Sequence, residues 1–471
     1  MGFEPTVAIN YDSFQDCSVR PLRHASTCSN SLDQVNACVE RKLPVSIGSF
    51  SFKLFLMLKL PTLRKNKPQP QGFARHGRIR LQSKASAIGG LLFKGLAVVL
   101  GATLAITGIS VADISNQIRS NGIKLANSTP ITAADLKGPV NMLLVGSDTR
   151  DGQDSVFGTE TSTLADVMIL LHISADRKNA VALSFPRDLL VPWPACPSTS
   201  GGPGYLPQSL GQLNATIANG GPGCTLLTIE QLTGLKIPYL AMINFKGVIE
   251  MSNAIGGVEV CVAEPIEDDY TKTYLDAGVH NLKGMAALQF LRTRHGVGDG
   301  SDLSRISNQQ VFLTSLVRKI KSAGVLSNPI YLYSLANAAA RNMSLSESLT
   351  DLNTMVKDVE LDKMTFLQVP SHGGLPAPYS GRVAPNYEQA NLLFEKLQND
   401  EPLILAEANT GSGAVVQGGE TATASPSASP SSSSSASATS GSTASPSPSA
   451  SESTLPEWAR GTNASVTTCS S

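Results

Sequence analysis

The sequence predicts an α/β fold, a three-layer α/β/α sandwich around a central mixed sheet, preceded by one transmembrane helix. Three observations predict it. From Val140 to Gln398, short runs rich in Val, Ile and Leu alternate with helix-patterned segments, the interleaving that places helices on both faces of a sheet. Residues 87–112, AIGGLLFKGLAVVLGATLAITGISVA, are long and apolar enough to cross a bilayer as a helix. Charged residues make up only 16% of the 471 positions, a dilution that comes from the two ends and leaves about 139–405 as the globular domain.

The elements follow in order. NMLLVG (141–146), VMILLHIS (167–174) and AVALSFP (180–186) are apolar runs without alternation, as suits strands buried on both faces. IEQLTGL (229–235) makes a turn or two of helix, and YLAMINF (239–245) another strand. FKGVIEMSNAIGG (245–257) reads as a helix stopped by glycines, followed by the strand VEVCVAE (258–264). KGMAALQFL (283–291) and LSRISNQQVFLTSLVRKIKSAG (303–324) are helices, the second closing at Gly324. Helical stretches at 329–341 and 345–358, a strand at 364–370 and a helix at 386–398 complete the domain.

The flanks set topology. Lys59, Arg64, Lys65, Lys67, Arg75, Arg78, Arg80 and Lys84 precede the apolar span with no acid among them, and Asp113 is the first charge after it. That asymmetry holds 1–86 in the cytoplasm and sends the rest outside. A cleaved signal peptide is the competing reading, disfavoured by the long basic region and the lack of an A-x-A site. Met57 opens a short basic segment as a natural start would, so 1–56 is expected to be an over-extended gene start. Residues 113–138 are expected to be a linker. The Ser/Ala/Pro-rich stretch 406–471 is expected to be a disordered tail, since it cannot bury enough apolar surface to offset chain entropy.

Zero net charge argues against a nucleic-acid partner. The seven cysteines include no CxxC and no metal-type spacing. Cys196 and Cys224 flank a Gly/Pro-rich insertion, and an external location permits oxidation. Their disulfide would stabilise by roughly 3 kcal/mol, although Cys261, inside a strand, is either a buried thiol or the true partner.

Five arginines fall at the ends of elements. They are Arg150 in GSDTR, Arg187 in SFPRD, Arg292 and Arg294 in LRTRHG, and Arg305 in the first turn of the next helix. Guanidinium suits a forked grip on phosphate oxygens. Arg292 and Arg294, two apart in an extended segment, would face one cleft, and Arg305 and Gln309 share a helical face. Asp148, Asp166, Asp188 and Asp302 occupy the same element ends. Together they describe an arginine-lined pyrophosphate site with a carboxylate pair for a metal or for proton transfer. Each also has a plainer reading: Asp302 as a helix N-cap, Asp148 with Arg150 as a turn ion pair. Walker A, GxGxxG and GxSxG patterns are absent in their required contexts.

The blocks NMLLVGSDTR, LADVMILLHISADRKNAVALSFPRDLLVPWP, LNATIANGGPGCTLLTIEQLTGLKIPYLAMINFKGVIEMSNAIGGVEV and LKGMAALQFLRTRHGVGDGSDLSRISNQQ occur in this order over about Pro139 to Leu316. They resemble the successive motifs of the LytR–CpsA–Psr family, with a continuation to roughly Leu405. The resemblance implies transfer of a glycopolymer phosphate from a polyprenyl-pyrophosphate carrier to a peptidoglycan hydroxyl, with Mg²⁺ or Mn²⁺, at the membrane. It implies that Asp148 and Asp166 hold the metal. It places Arg150, Arg187, Arg292, Arg294 and Arg305 at the pyrophosphate, and Asp188, Asp302 and Gln309 at further motif positions. Two positions depart from the family pattern, Leu164 and Asn308, where arginines are frequent. For the carrier's apolar chain, Leu240, Met242, Phe245, Val248 and Met251 are candidate lining, with plain core as the alternative. A polyprenyl-phosphate-binding regulator without turnover and a pyrophosphatase are the competing functions.

Overall fold

The structure, a computed structural model, describes residues 84–123, 138–148, 164–198, 202–322, 328–346, 359–405, 408–417 and 454–471. The expectations for 1–83, for Arg150, for the helix beyond 346 and for the Ser/Pro-rich stretch 418–453 lie outside the described residues. The chain divides into Met1–Gln82 and Ser83–Ser471, and only the second unit is described.

Helix α1 (Lys84–Ser120) comes first, followed by β1 (Val140–Ser147), β2 (Ala165–Ile173) and β3 (Ala180–Phe185). After the hairpin β4 (Leu190–Trp193) and β5 (Gln208–Gln212) come α2 (Thr216–Thr233), β6 (Tyr239–Ile243) and α3 (Phe245–Ala254). Then follow β7 (Val258–Val262), β8 (Ile266–Asp268), β9 (Thr273–Leu275), β10 (Gly278–Leu282), α4 (Met285–Arg292) and α5 (Asp302–Ser322). Helix α6 (Pro329–Asn342), β11 (Met343–Leu345), β12 (Thr365–Gln368), β13 (Ser371–His372), β14 (Ala384–Pro385) and α7 (Tyr387–Gln398) continue the domain. The last strands are β15 (Ile404–Leu405), β16 (Ala414–Val416), β17 (Thr454–Leu455), β18 (Gly461–Asn463) and β19 (Thr468–Ser470).

The central sheet has seven strands in the order β11-β6-β1-β2-β3-β12-β18. It is mixed: β1 runs parallel to β6 and antiparallel to β2, and β3 runs parallel to β12. The period of two sorts its side chains. Leu143, Val145, Met168, Leu170, Leu183 and Leu240 pack on one face with Ile229 of α2 and Leu393, Phe394 and Leu397 of α7. Ile169 and Ala182 face the other way, where Leu313 and Val317 of α5 pack. The two helical layers enclose the sheet. A second sheet, β10-β7-β19-β16, takes the expected strand VEVCVAE away from the central one and packs on α5 through Val258, Val260, Val311 and Phe312.

Local chemistry sets the helix ends. Asn244 caps α3 by accepting from Gly247 N–H (2.9 Å), and Asn328 caps α6 with Pro329 in the first turn. Helix α2 starts earlier than expected and is interrupted at Gly220 and Gly221. There the chain passes the Cys196–Cys224 disulfide so closely that a Cβ on Gly220 would lie 2.7 Å from Cys224 Cβ.

Three expectations are corrected. Helix α1 extends into the first part of the expected linker, to Ser120, because Ile114 and Ile118 are buried against the domain; 124–137 lie outside the described residues. Leu345, the first residue of the helix expected at 345–358, instead ends an edge strand, Met343–Leu345, beside β6. The stretch 406–471 is not a tail throughout. Residues 408–417 and 454–471 fold back, adding β18 to the central sheet and β16 and β19 to the second, and Cys469 bonds Cys261. After residue 453 the composition changes, and Leu455, Ala459, Ala464 and Cys469 are all buried, which supplies the burial the Ser/Pro run lacks.

Non-reducing peptide maps are therefore expected to pair Cys261 with Cys469 and Cys196 with Cys224; alkylation of a free Cys469 would contradict this. Cys469→Ser should cost roughly 2–4 kcal/mol in denaturant unfolding. Deleting 454–471 should cost more, because it also strips the edge strand β18 from the central sheet and the interior strand β19 from the second, which leaves β16 unpaired.

Candidate functional site

Strand direction gathers the site at one end of the central sheet. The C-terminal ends of β1, β3 and β6 and the start of β2 lie together, where α/β sheets commonly bind ligands. Across β1 and β2, Gly146 pairs with Val167 and Ser147 with Ala165, so Asp166 is the extra residue of a β-bulge. Strict alternation would put Asp166 on the Met168–Leu170 face. The bulge instead brings both Asp166 and Val167 to the opposite face.

That face closes one side of a cavity of about 530 Å³. Leu144, Val167, Ile169, Ala241 and Ile243 of the sheet line its floor. Phe245, Val248, Met251 and Ile255 from α3 and its C-terminal end, Phe312, Leu313, Leu316 and Ile320 from α5, and Leu335 from α6 form the walls. The interior is almost wholly apolar. Cations collect at the sheet's carboxyl end: Arg187, Arg292, Arg294 and Arg305 all line the cavity.

The arginines are held differently. Arg187 Nη1 donates to Asp166 Oδ1 (2.7 Å), and its Nε lies 3.5 Å from both Asp188 Oδ2 and Asp302 Oδ1. Burial works against the Arg187 charge, but Asp166, Asp302 and Asp188 outweigh it and raise the pKa above the usual arginine value. Arg305 is buried, with Nη2 2.6 Å from Asp302 Oδ1 and 3.0 Å from the Asp166 carbonyl. Burial lowers its pKa against the pull of Asp302, yet a guanidinium remains charged in proteins. Arg292 ends α4 and stacks over Phe245, 4.5 Å from the ring centroid. Among the described residues the Arg294 side chain has no ion-pair or hydrogen-bond partner.

Asp268, at the end of β8, shapes the loop that carries Arg294. Its Oδ2 accepts from Thr293 Oγ1 (2.7 Å), Arg294 N–H (3.1 Å) and His295 N–H (3.2 Å), and its Oδ1 from Tyr270 N–H (2.9 Å). Burial pushes this carboxyl up, but these bonds, the Thr293 hydroxyl foremost, hold it at about 2. His295 packs against Tyr270 with ring centroids 4.5 Å apart.

A profile of the LytR_cpsA_psr family matches residues 107–398. The chain belongs to the LytR_cpsA_psr family. The probable cell wall biosynthesis protein LcpB of Corynebacterium glutamicum is 30% identical over 296 residues, which cover 60% of this chain and 64% of that protein. The polyisoprenyl-teichoic acid–peptidoglycan teichoic acid transferase TagT of Bacillus subtilis is 28% identical over 241 residues, 49% of this chain and 68% of its own. The chain thus spans just under two thirds of LcpB. Protein gbs0355 of Streptococcus agalactiae, a solved structure, has a TM-score of 0.48 at 21% identity, covering 57% of this chain and 89% of that one.

Within this LytR_cpsA_psr domain, the structure sorts the sequence-predicted residues. Arg187, Arg292, Arg294, Arg305, Gln309 and Asp166 line the cavity. Arg292 does so from a helix end rather than from an extended segment. Gln309 also donates to Leu291 O (3.0 Å), tying α5 to α4. Asp302 stands behind the wall as partner to Arg305 and Arg187. Asp188 is likewise behind it, held by Gln212 and by Arg382 (3.1 Å). Asp148 accepts from Leu164 N–H (2.6 Å), which joins the end of β1 to the start of β2. Of the expected apolar lining, Phe245, Val248 and Met251 are in place, whereas Leu240 and Met242 point to the opposite core and Ala241 and Ile243 take their positions. Asn308 reaches away from the cavity, donating to Phe290 O (2.8 Å) and accepting from Ser470 Oγ (2.5 Å). Sequence reasoning missed Asp268, Tyr270 and His295. The acidic run IEDD after β7 was the available signal.

For a divalent cation, no group of three or more His, Cys, Asp or Glu side chains is assembled among the described residues. Magnesium usually takes one or two carboxylates and completes its shell with water and phosphate oxygens. Asp166 lines the cavity and is bound to Arg187 through one oxygen, which suits an ion brought in with a phosphate and not a closed protein cage; Asp148, at the adjoining strand end, is not among the lining residues.

Two stability measurements distinguish partners from ligand-facing groups. Asp302→Ala should cost about 3–5 kcal/mol in denaturant unfolding, since it leaves Arg305 buried and unpaired, while Arg294→Ala should leave the melting temperature unchanged or higher. Because the folded pKa of Asp268 lies below its usual 3.8, at about 2, its stabilisation is full above pH ~4 and lost as pH falls toward 2. Acid titration of Asp268→Asn should lack that limb; an unchanged acid-unfolding curve would exclude this role.

Proposed function

We propose that the chain transfers a glycopolymer phosphate from a polyprenyl-pyrophosphate carrier to a hydroxyl of peptidoglycan. One observation carries the reading: an apolar cavity that ends in four arginines matches a ligand with a greasy chain and a diphosphate head. The TagT relationship supports the polymer and wall partners by name. Among the described residues, one helix, Leu92–Ser120, is long and apolar enough to cross a membrane. The basic residues before it and Asp113 after it support a cytoplasmic N-terminus and an external catalytic domain.

In this reading the acceptor hydroxyl gives up its proton to solvent as its oxygen attacks the phosphorus that bears the polymer. The bond to the bridging oxygen breaks, and polyprenyl phosphate leaves with that bonding pair. The step asks mainly for alignment and for neutralisation of charge. Arg292, stacked on Phe245, and Arg294, both lining the cavity, grip the diphosphate and stabilise the leaving phosphate as its charge grows. Arg187 and Arg305 present a fixed positive wall behind them, oriented in advance by Asp166, Asp188 and Asp302. Mg²⁺ or Mn²⁺ held by Asp148 and Asp166 would supply further neutralisation on the phosphate oxygens. Asp268 keeps Arg294 and His295 on a rigid loop.

Turnover of a labelled lipid-linked polymer, with and without a peptidoglycan acceptor, separates transfer from hydrolysis and from binding alone. Arg292→Ala or Arg294→Ala should each lower transfer by ~10²–10³, or about 2–4 kcal/mol of transition-state stabilisation. Arg294→Lys should recover little, because ammonium cannot make the forked contact. Full transfer by Arg294→Ala together with a lowered melting temperature would make Arg294 a structural residue and refute the placement of the site.

A further inference from the structure

Two hydrogen bonds show how α1 and α6 run relative to each other. Asn121 Nδ2 donates to Ala340 O (3.0 Å), and Ile123 N–H to Leu345 O (3.0 Å). These bonds bring the C-terminal ends of α1 and α6 together, and packing side by side from that end runs the two helices in the same sense. Ile114 and Ile118 belong to the same buried cluster as Ala340, with Ala336 packed against it. Stepping back about 15 Å along each helix from the Asn121–Ala340 contact brings Ile330–Tyr333 level with residues 111–114. This is where the exposed apolar surface of α1 ends: Ile109 and Val111 are exposed, and Ile114 is buried.

At that level the tip of α6 is unusually greasy. Ile330 and Leu332 are 73% and 45% exposed, and Tyr331 and Tyr333 are 38% and 47% exposed. Four consecutive residues of this kind cover every side of a helix, a surface that water disfavours. Tyrosine beside aliphatic side chains suits the boundary between hydrocarbon and headgroups. The cluster that receives α1 also holds Val140, Ile173 and Tyr239, at the end of the sheet opposite the arginines, about 23 Å away along β1. On its inner side α6 supplies Leu335 to the cavity, facing Leu316 and Ile320 of α5.

We propose that the N-terminal tip of α6 sits in the lipid interface beside α1, and that the cavity takes its apolar chain from the bilayer through the wall between α6 and α5. The seating rests on geometry; the loading rests on the function proposed above. The carrier's tail would then point to the membrane and its diphosphate to the arginines.

The test uses the full chain in phosphatidylcholine vesicles containing lipid brominated near the headgroup end of its acyl chains. Leu332→Trp and Tyr333→Trp are compared with Tyr274→Trp, an exposed position on β9 at the arginine end, with Trp193 and Trp458 as the shared background. The emission added at 332 and 333 should be quenched and that at 274 should not. Equal quenching at all three positions would overturn the seating. Replacing residues 330–333 by serine should then slow turnover of a long-chain donor in vesicles by about tenfold, the factor that about 1.4 kcal/mol of lost apolar contact gives. Turnover of a water-soluble short-chain donor should stay as it was. Equal loss with both donors would overturn the loading, whereas an unsubstituted protein inert toward both would refute the transfer function and leave the quenching result standing.

Discussion

The structure depends on keeping two guanidiniums paired at the carboxyl end of the central sheet. Arg305 is buried and Arg187 half-buried, and neither can be left without carboxylates at such a position. Asp166 comes from β2, Asp188 from the end of β3 and Asp302 from the first turn of α5. Satisfying the two arginines therefore locks α5 across the ends of two strands. Helix α5 in turn supplies a wall of the cavity, a face for the second sheet and, through Gln309 and Asn308, the attachment of α4. The charge cluster acts as the joint between the sheet and everything packed on its open face.

Around that joint the molecule separates apolar from cationic surface along one axis. The cavity interior is built from one face of the sheet and from helices packed over it, so its lining is apolar along most of its length. Two further arginines, Arg292 and Arg294, line the cavity beside Arg187 and Arg305, which the carboxylates hold. Cations in such a low-dielectric setting act more strongly on a phosphate than they would in water. The end of α1 is fixed at the β11 edge of the sheet, where Asn121 meets Ala340 and Ile123 meets Leu345.

The C-terminal return shows how a departure from the family pattern is absorbed. Asn308 stands where arginine is frequent, and its short amide bridges Phe290 to Ser470 on β19. Beside it the Cys261–Cys469 disulfide closes 208 residues of chain, a constraint that acts mostly on the unfolded state. Residues far beyond the matched 107–398 span thus form part of the same folded body.

Much of this was legible in the residues themselves. Apolar runs without alternation identified the buried strands, because both faces of the sheet are covered. Four arginines at element ends, Arg187, Arg292, Arg294 and Arg305, come to line one cavity, because side chains there are the ones a sheet can bring together. The span 87–112 and its flanking charge were readable because a bilayer demands length and apolarity over anything positional. What the tertiary structure alone decided were matters of register and distant pairing. A single bulged residue turns Asp166 into the cavity, and alternation on β6 puts Ala241 and Ile243 there in place of Leu240 and Met242; a one-residue shift reverses such faces without changing composition. Asp268 holds the Arg294 loop, and Cys469 finds Cys261, only once segments distant in the chain are packed together. No local pattern records those contacts, since each is fixed by where two separate segments end up and not by the residues beside either one.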